Sequence, residues 1–174
     1  MQETKDSGLG TSGLERSMKR NGQGKEHMTK SIIQEMSFAF AVQIVRFCRD
    51  LQAHHKEFVL SRQLLRSGTS IGANVEEALG GQSKKDFLAK MYVAGKEARE
   101  TLYWLRLLRE SDLVNAPHLH KLVNACQEIV NVLNSITLTT RQNLNHAARS
   151  SSIHSSYNSK LLTPHSKLTS RGGS

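Results

Sequence analysis

The chain has only two cysteines, Cys48 and Cys126, and neither belongs to a CxxC pair. That excludes a paired-cysteine metal or redox motif, and each cysteine falls on an apolar helical stripe as a small buried hydrophobe. No apolar run approaches the roughly 20 residues that a membrane helix requires, and no secretory h-region follows the polar N-terminus. A soluble protein of a reducing cytoplasm is expected. Phosphate loops are missing as well, because neither GxxxxGK[ST] nor a GxGxxG between strand and helix occurs. No Glu has a His three residues later, the spacing that di-iron bundles use. Nucleophilic catalysis finds no strand-to-helix elbow and no fixed Cys/His arrangement. The expectation is therefore a protein that is not an enzyme, with no cofactor and no metal.

Length fits one domain, since 174 residues fall within the ordinary range. Charge is uneven along it. Residues 1–30 carry 6 Lys/Arg and 4 Asp/Glu, residues 31–145 carry 14 and 11, and residues 146–174 carry 4 and none, giving the net +9. Such a balance favours polyanions such as RNA or DNA, through counterion release. Residues 1–30 hold hardly any apolar side chain, and 146–174 are rich in Ser with Arg149, Lys160, Lys167 and Arg171. Both stretches read as disordered tails, because neither can offset the entropy of ordering. The basic C-terminal tail suits either nonspecific phosphate contacts or solubilisation.

Residues 31–145 read as four amphipathic helices with no convincing strand. The first runs from near Ser31, where Ser31 and Gln34 have capping-box spacing, to about Ala53. It has two apolar stripes, Phe38/Ala41/Val45/Cys48 and Phe40/Ile44/Phe47/Leu51. That is more than a hairpin needs, and it predicts a subunit interface. The second spans Phe58 to Leu79 on the stripe Leu60, Leu64, Ser67/Gly68, Ile71, Val75 and Ala78. Gly80-Gly81 stops it. Ser83, with Asp86 three residues on, caps the third, which follows Phe87, Met91, Ala94, Ala98, Leu102, Leu105 and Leu108 to Glu110. The fourth starts after Asn115, tolerates Pro117 in its first turn, and runs to about Asn145 on Leu119, Leu122, Cys126, Ile129, Leu133, Ile136 and Thr140. Short connections make this an all-α, antiparallel up-down-up-down four-helix bundle.

A short turn near residue 82 makes helices two and three antiparallel, with facing numbers summing to about 164. Gly68 and Gly72 then come level with Gly95 and Met91, where small residues permit a close helix approach. Arg66 comes level with Glu97 and Glu100, predicting a partly buried ion pair that fixes helix register or subunit choice. Asn74, Glu76 and Glu77 complete the polar residues of this hairpin, and Trp104 reads as a core or interface anchor.

With these segments placed, SRQLLRSGTSIGANVEEA, QSKKDFLAKM and KEARETLYWLRLLRESDLV resemble the four helix bundle family also called 23S rRNA intervening-sequence proteins. The resemblance covers about Ser31 to Leu133 and leaves the tails outside. Members of this family resemble the accessory protein of diversity-generating retroelements, a ring-like five-subunit bundle that associates with a reverse transcriptase and nucleic acid. The resemblance implies a bacterial, non-enzymatic homo-oligomer, with a pentamer as one form, whose partners include RNA or DNA and a reverse transcriptase.

One face of the third helix carries Lys85, Tyr92, Lys96, Arg99, Tyr103 and Arg106, at steps of 7, 4, 3, 4 and 3. As a nucleic-acid face, its cations neutralise phosphates and its tyrosines stack on unpaired bases. The same pattern also suits a solvated face or a protomer contact. The function expected is an oligomeric helical adaptor that binds nucleic acid through such faces. The alternative is a protein-binding scaffold, or an accessory subunit of a reverse transcriptase, without a direct nucleic-acid role. His54-His55 and His118/His120 sit at helix ends, with no Cys/His companion at ligand spacing.

Overall fold

The computed structural model describes residues 12–111, 113 and 119–161, with side-chain surroundings from residue 32 to residue 150 of these. Four helices follow in order: α1 Ser12–His55, α2 Val59–Leu79, α3 Lys84–Glu110 and α4 Leu119–Leu161. Each packs on its sequence neighbour, and α1 closes the ring against α4 through the thinnest of the four seams. The expected antiparallel bundle is the architecture. Of the expected tails 1–30 and 146–174, residues 12–30 and 146–161 are helical, extending α1 and α4 beyond their expected ends, and 1–11 and 162–174 lie outside the described residues.

Local chemistry sets both described turns. Lys56 takes a left-handed φ of 53°, which ends α1. The Glu57 carboxylate then accepts the N–H groups of Val59 at 3.1 Å, Leu60 at 3.0 Å and Ser61 at 2.7 Å. It thereby satisfies donors that open every helix, while Phe58 at the cap position makes no side-chain bond. At the second turn the Gly81 N–H donates to Ala78 O at 3.1 Å. A Cβ on Gly81 would lie 3.0 Å from that carbonyl oxygen and 2.8 Å from Asp86 Oδ2, so glycine spares the turn this crowding. Ser83 Oγ accepts the Asp86 N–H at 3.1 Å, as the spacing predicts.

The stripes expected to be buried fill the core. Leu64, Ile71, Met91, Leu105, Cys126 and Ile129 retain almost no exposure. Leu60 and Leu102, placed on those stripes, are only half-buried, and Thr101 is enclosed instead, donating to Glu97 O at 2.7 Å. Antiparallel register between α2 and α3 is marked by the ion pairs Arg66–Glu100 and Lys90–Glu77. Their residue numbers sum to 166 and 167, close to the expected level.

Two expectations are corrected. Ser31 does not open α1, which is already helical from Ser12, and Gln34 instead donates from Nε2 to both Glu76 oxygens, at 3.1 and 3.0 Å. The segment before Ser31 contains no proline, the residue that would break the helical backbone outright. The small residues of α2 also face a different neighbour. A Cβ on Gly68 would meet Ile44 Cγ2 at 2.9 Å, and one on Gly72 would meet Ser37 O at 3.6 Å. Their close approach is therefore to α1. A Cβ on Gly95 would touch only Arg99 Nη1, at 3.4 Å.

Candidate nucleic-acid interface

One outward stripe of α3 meets α4 through Arg99, which donates to Asn134. Lys85, Tyr92, Lys96, Arg99, Tyr103 and Arg106 are all exposed. The tyrosine rings in particular keep 42% and 57% of their surface at Tyr92 and Tyr103. Arg99 is held in place. Its Nη1 donates to Gly95 O at 2.9 Å and its Nη2 to Asn134 Oδ1 at 2.7 Å. An arginine fixed by two neutral acceptors keeps its full positive charge, with less side-chain freedom to lose when an anion binds.

Beside it runs an open groove of about 430 Å³ lined by Arg99, Leu102, Tyr103, Arg106, Leu107 and Glu110. Tyr103 meets Trp104 edge to face, with centroids 4.9 Å apart and planes at 71°. That contact sets the Tyr103 ring while leaving it exposed. Two cations, a positioned ring and apolar leucines can hold a phosphate and a stacked base together. Glu110, paired with Arg109 at 2.7 Å, bounds the groove at one end.

The fourth helix completes this face with residues that the sequence reading missed. Asn134 binds Arg99, and Gln127 Nε2 donates to Asn131 Oδ1 at 3.1 Å, so positions 127, 131 and 134 share one stripe. Arg141 lies two turns further along it, exposed. The Cys126 thiol donates to Ala98 O at 3.3 Å, which fixes the α3–α4 register and places Arg141 toward the Lys85 end. Side-chain amides offer both donors and acceptors, the groups that base edges require. The available signal was the heptad spacing of 127, 134 and 141, which matches that of 85, 92, 99 and 106.

The remaining marked residues serve the helix seams. Glu100 Oε1 accepts from Arg66 and, at 3.3 Å, from Trp104 Nε1, which selects Glu100 over Glu97 as the partner of Arg66. Glu97 Oε2 is enclosed without a donor among the described residues. Asn74 Nδ2 donates within α2 to Ser70 O at 2.8 Å. Glu76 is engaged by Gln34 on α1 and Glu77 by Lys90 on α3, so the two point to different seams. A literal Gly-x-Ser-x-Gly runs from Gly68 to Gly72, but it lies inside α2, where the sharp turn of a nucleophile elbow cannot form. His54, His55 and His120 are exposed; His118 lies outside the described residues. Burial raises both thiols to about 12, with the Glu57 charge adding to the effect at Cys48.

An antiparallel helical bundle with a basic, amide-rich outer seam is the class that these features define. Residues 29–135 match the 23S rRNA-intervening sequence protein family, and the chain belongs to that family. It is similar to the crystal structure of a protein of unknown function from the S23 ribosomal protein family of Bacteroides thetaiotaomicron. The two share 43% identity over 63% of this chain and 97% of that one, with a TM-score of 0.60. No curated protein matches. Among the described residues, no helix is long and apolar enough to cross a membrane.

Proposed function

We propose that this protein is a self-associating helical adaptor that binds single-stranded RNA or DNA along the α3–α4 seam. The carrying observation is the fixed guanidinium of Arg99 between the exposed rings of Tyr92 and Tyr103, on a face continued by Asn131, Asn134 and Arg141. Exposed tyrosines separated by cations suit unpaired bases joined by phosphates, because every base offers a face for stacking. A duplex presents its phosphates and hides those faces, so single strands are the better substrate. Net charge of +9 adds a favourable long-range field.

Fluorescence anisotropy with labelled single-stranded RNA and DNA, at roughly 50 and 200 mM salt, tests this reading. Binding at the lower salt is expected, together with marked weakening at the higher. Arg99→Ala combined with Tyr103→Ala should weaken binding by about 10-fold or more, since one stacked base contributes about 1–3 kcal/mol. No binding at the lower salt would refute it. A protein-binding scaffold, including a subunit accessory to a reverse transcriptase, is the second reading, favoured by the exposed Phe38 and Val45 of α1. Co-purification of a protein complex that resists nuclease would support that second reading.

A further inference from the structure

The basic stripe of α3 ends on an acid. Positions 99, 103, 106 and 110 advance by 4, 3 and 4, so Glu110 shares the outward face of Arg99, Tyr103 and Arg106, and all four line one groove with the half-buried Leu102 and Leu107. A carboxylate there repels phosphate, the anion that the neighbouring arginines attract. Arg109 orients it, donating to Oε1 from Nε at 2.8 Å and approaching the same oxygen from Nη2 at 2.7 Å. Oε2 has no donor among the described residues, and 69% of the Glu110 side chain is exposed. That oxygen is open to a ligand.

The groove therefore asks for a group that stacks on Tyr103, brings N–H donors to a carboxylate and brings acceptors to an arginine. Tyr103 and Glu110 stand about 10 Å apart along the helix axis, which leaves room for one base. A carboxylate only accepts and a guanidinium only donates. Guanine sets two donors side by side, N1–H and the N2 amine, and carries acceptors at O6 and N7. Adenine and cytosine place a ring-nitrogen lone pair beside their amino group, and uracil or thymine places its one N–H between two carbonyls. Each of these turns a lone pair toward the carboxylate. We propose that this groove selects guanine within a single strand: the base stacks on Tyr103, Glu110 accepts from N1–H and the N2 amine, Arg106 donates to O6, and Arg99 holds the adjoining phosphate. Glu110 thus sets specificity, opposing strands in general and favouring the one base that meets it with donors.

This inference rests on the nucleic-acid reading above. Anisotropy of the full chain at roughly 50 mM salt tests it with labelled oligothymidine, and with the same strand carrying isolated guanines, adenines or inosines at matched positions. The guanine strand should bind about 5-fold or more tighter than the thymine and adenine strands. Inosine keeps N1–H and O6 but lacks the N2 amine, so its strand should fall between guanine and adenine. Glu110→Gln should bind oligothymidine at least as well as the wild type, because a negative charge is gone, yet lose the preference for guanine. A misfolded variant would not show that pair of results. Free guanosine monophosphate, without neighbouring phosphates, should compete only weakly; competition at parity with the strand would assign the groove to a free nucleotide and overturn selection within a strand. Salt-dependent binding with no guanine preference, or a preference that survives in Glu110→Gln, would overturn the inference and leave the nucleic-acid reading standing. No binding of any strand would overturn both.

Discussion

Gly68 and Gly72 stand four residues apart on α2, and the space beside them has opposite consequences. At Gly68 an added methyl would lie 2.9 Å from Ile44 Cγ2, 3.0 Å from Cγ1 and 3.3 Å from Cβ. Ile44 is fully buried and β-branched, so rotating its side chain cannot clear all three contacts. At Gly72 the nearest atom is 3.6 Å away, an ordinary contact. Replacing a helical glycine with alanine gains about 1 kcal/mol of propensity, while overpacking costs typically 1–3 kcal/mol. Gly72→Ala should therefore raise the urea midpoint and Gly68→Ala should lower it. Two midpoints shifted in the same direction would contradict this account.

At the scale of elements, each helix was legible where its pattern recorded contact with a single core. The stripe from Leu119 to Thr140 is buried throughout, and Ser83 caps α3 as its spacing predicts. The direction faced by the α2 glycines was not legible. Residue levels follow from the length of a turn, but which neighbour a residue faces depends on how each helix is rotated in the assembled ring. Nor was the start of α1 legible, because 12–30 carry no apolar stripe to mark a helix, while they contain no proline to break one.

The candidate site was half legible. Its α3 residues share one helix, so their period shows in the chain, whereas Asn134 joins Arg99 across 35 positions of sequence. That bridge carries a prediction about the seam. Asn134→Ala removes one of the two acceptors that hold Arg99 and leaves its charge intact. It should weaken single-strand binding by a few-fold, and Arg99→Ala should weaken it more. The double variant should bind like Arg99→Ala alone, because Asn134 acts through that guanidinium. Fully additive losses in anisotropy titrations would instead place Asn134 in direct contact with the ligand.

For the whole molecule, the two enclosed thiols tie stability to alkaline pH. Burial raises Cys48, with help from the Glu57 charge, and burial raises Cys126, each to about 12 from an ordinary value of 9.0. Below pH 9 both folded and unfolded chains hold these protons, so the thiols add no pH dependence. Between about 9 and about 12 the unfolded chain releases them while the folded chain keeps them. Stability must fall as pH rises through that window, by up to roughly 1.4 kcal/mol per pH unit for each thiol. Lys90, raised by its hydrogen bond to Glu77 and then by the charge of Glu77, loses its contribution in the same direction, but it is common to wild type and variant. Cys48→Ala combined with Cys126→Ala should start from a lower stability, because two small cavities open, and should then decline less steeply from pH 9 to 11. The slope of unfolding free energy against pH, measured by urea titration, separates these effects. Equal slopes in the two proteins would mean that the thiols meet water in the native state, and would contradict the close packing of α1 against α2 and of α3 against α4 on which the bundle depends.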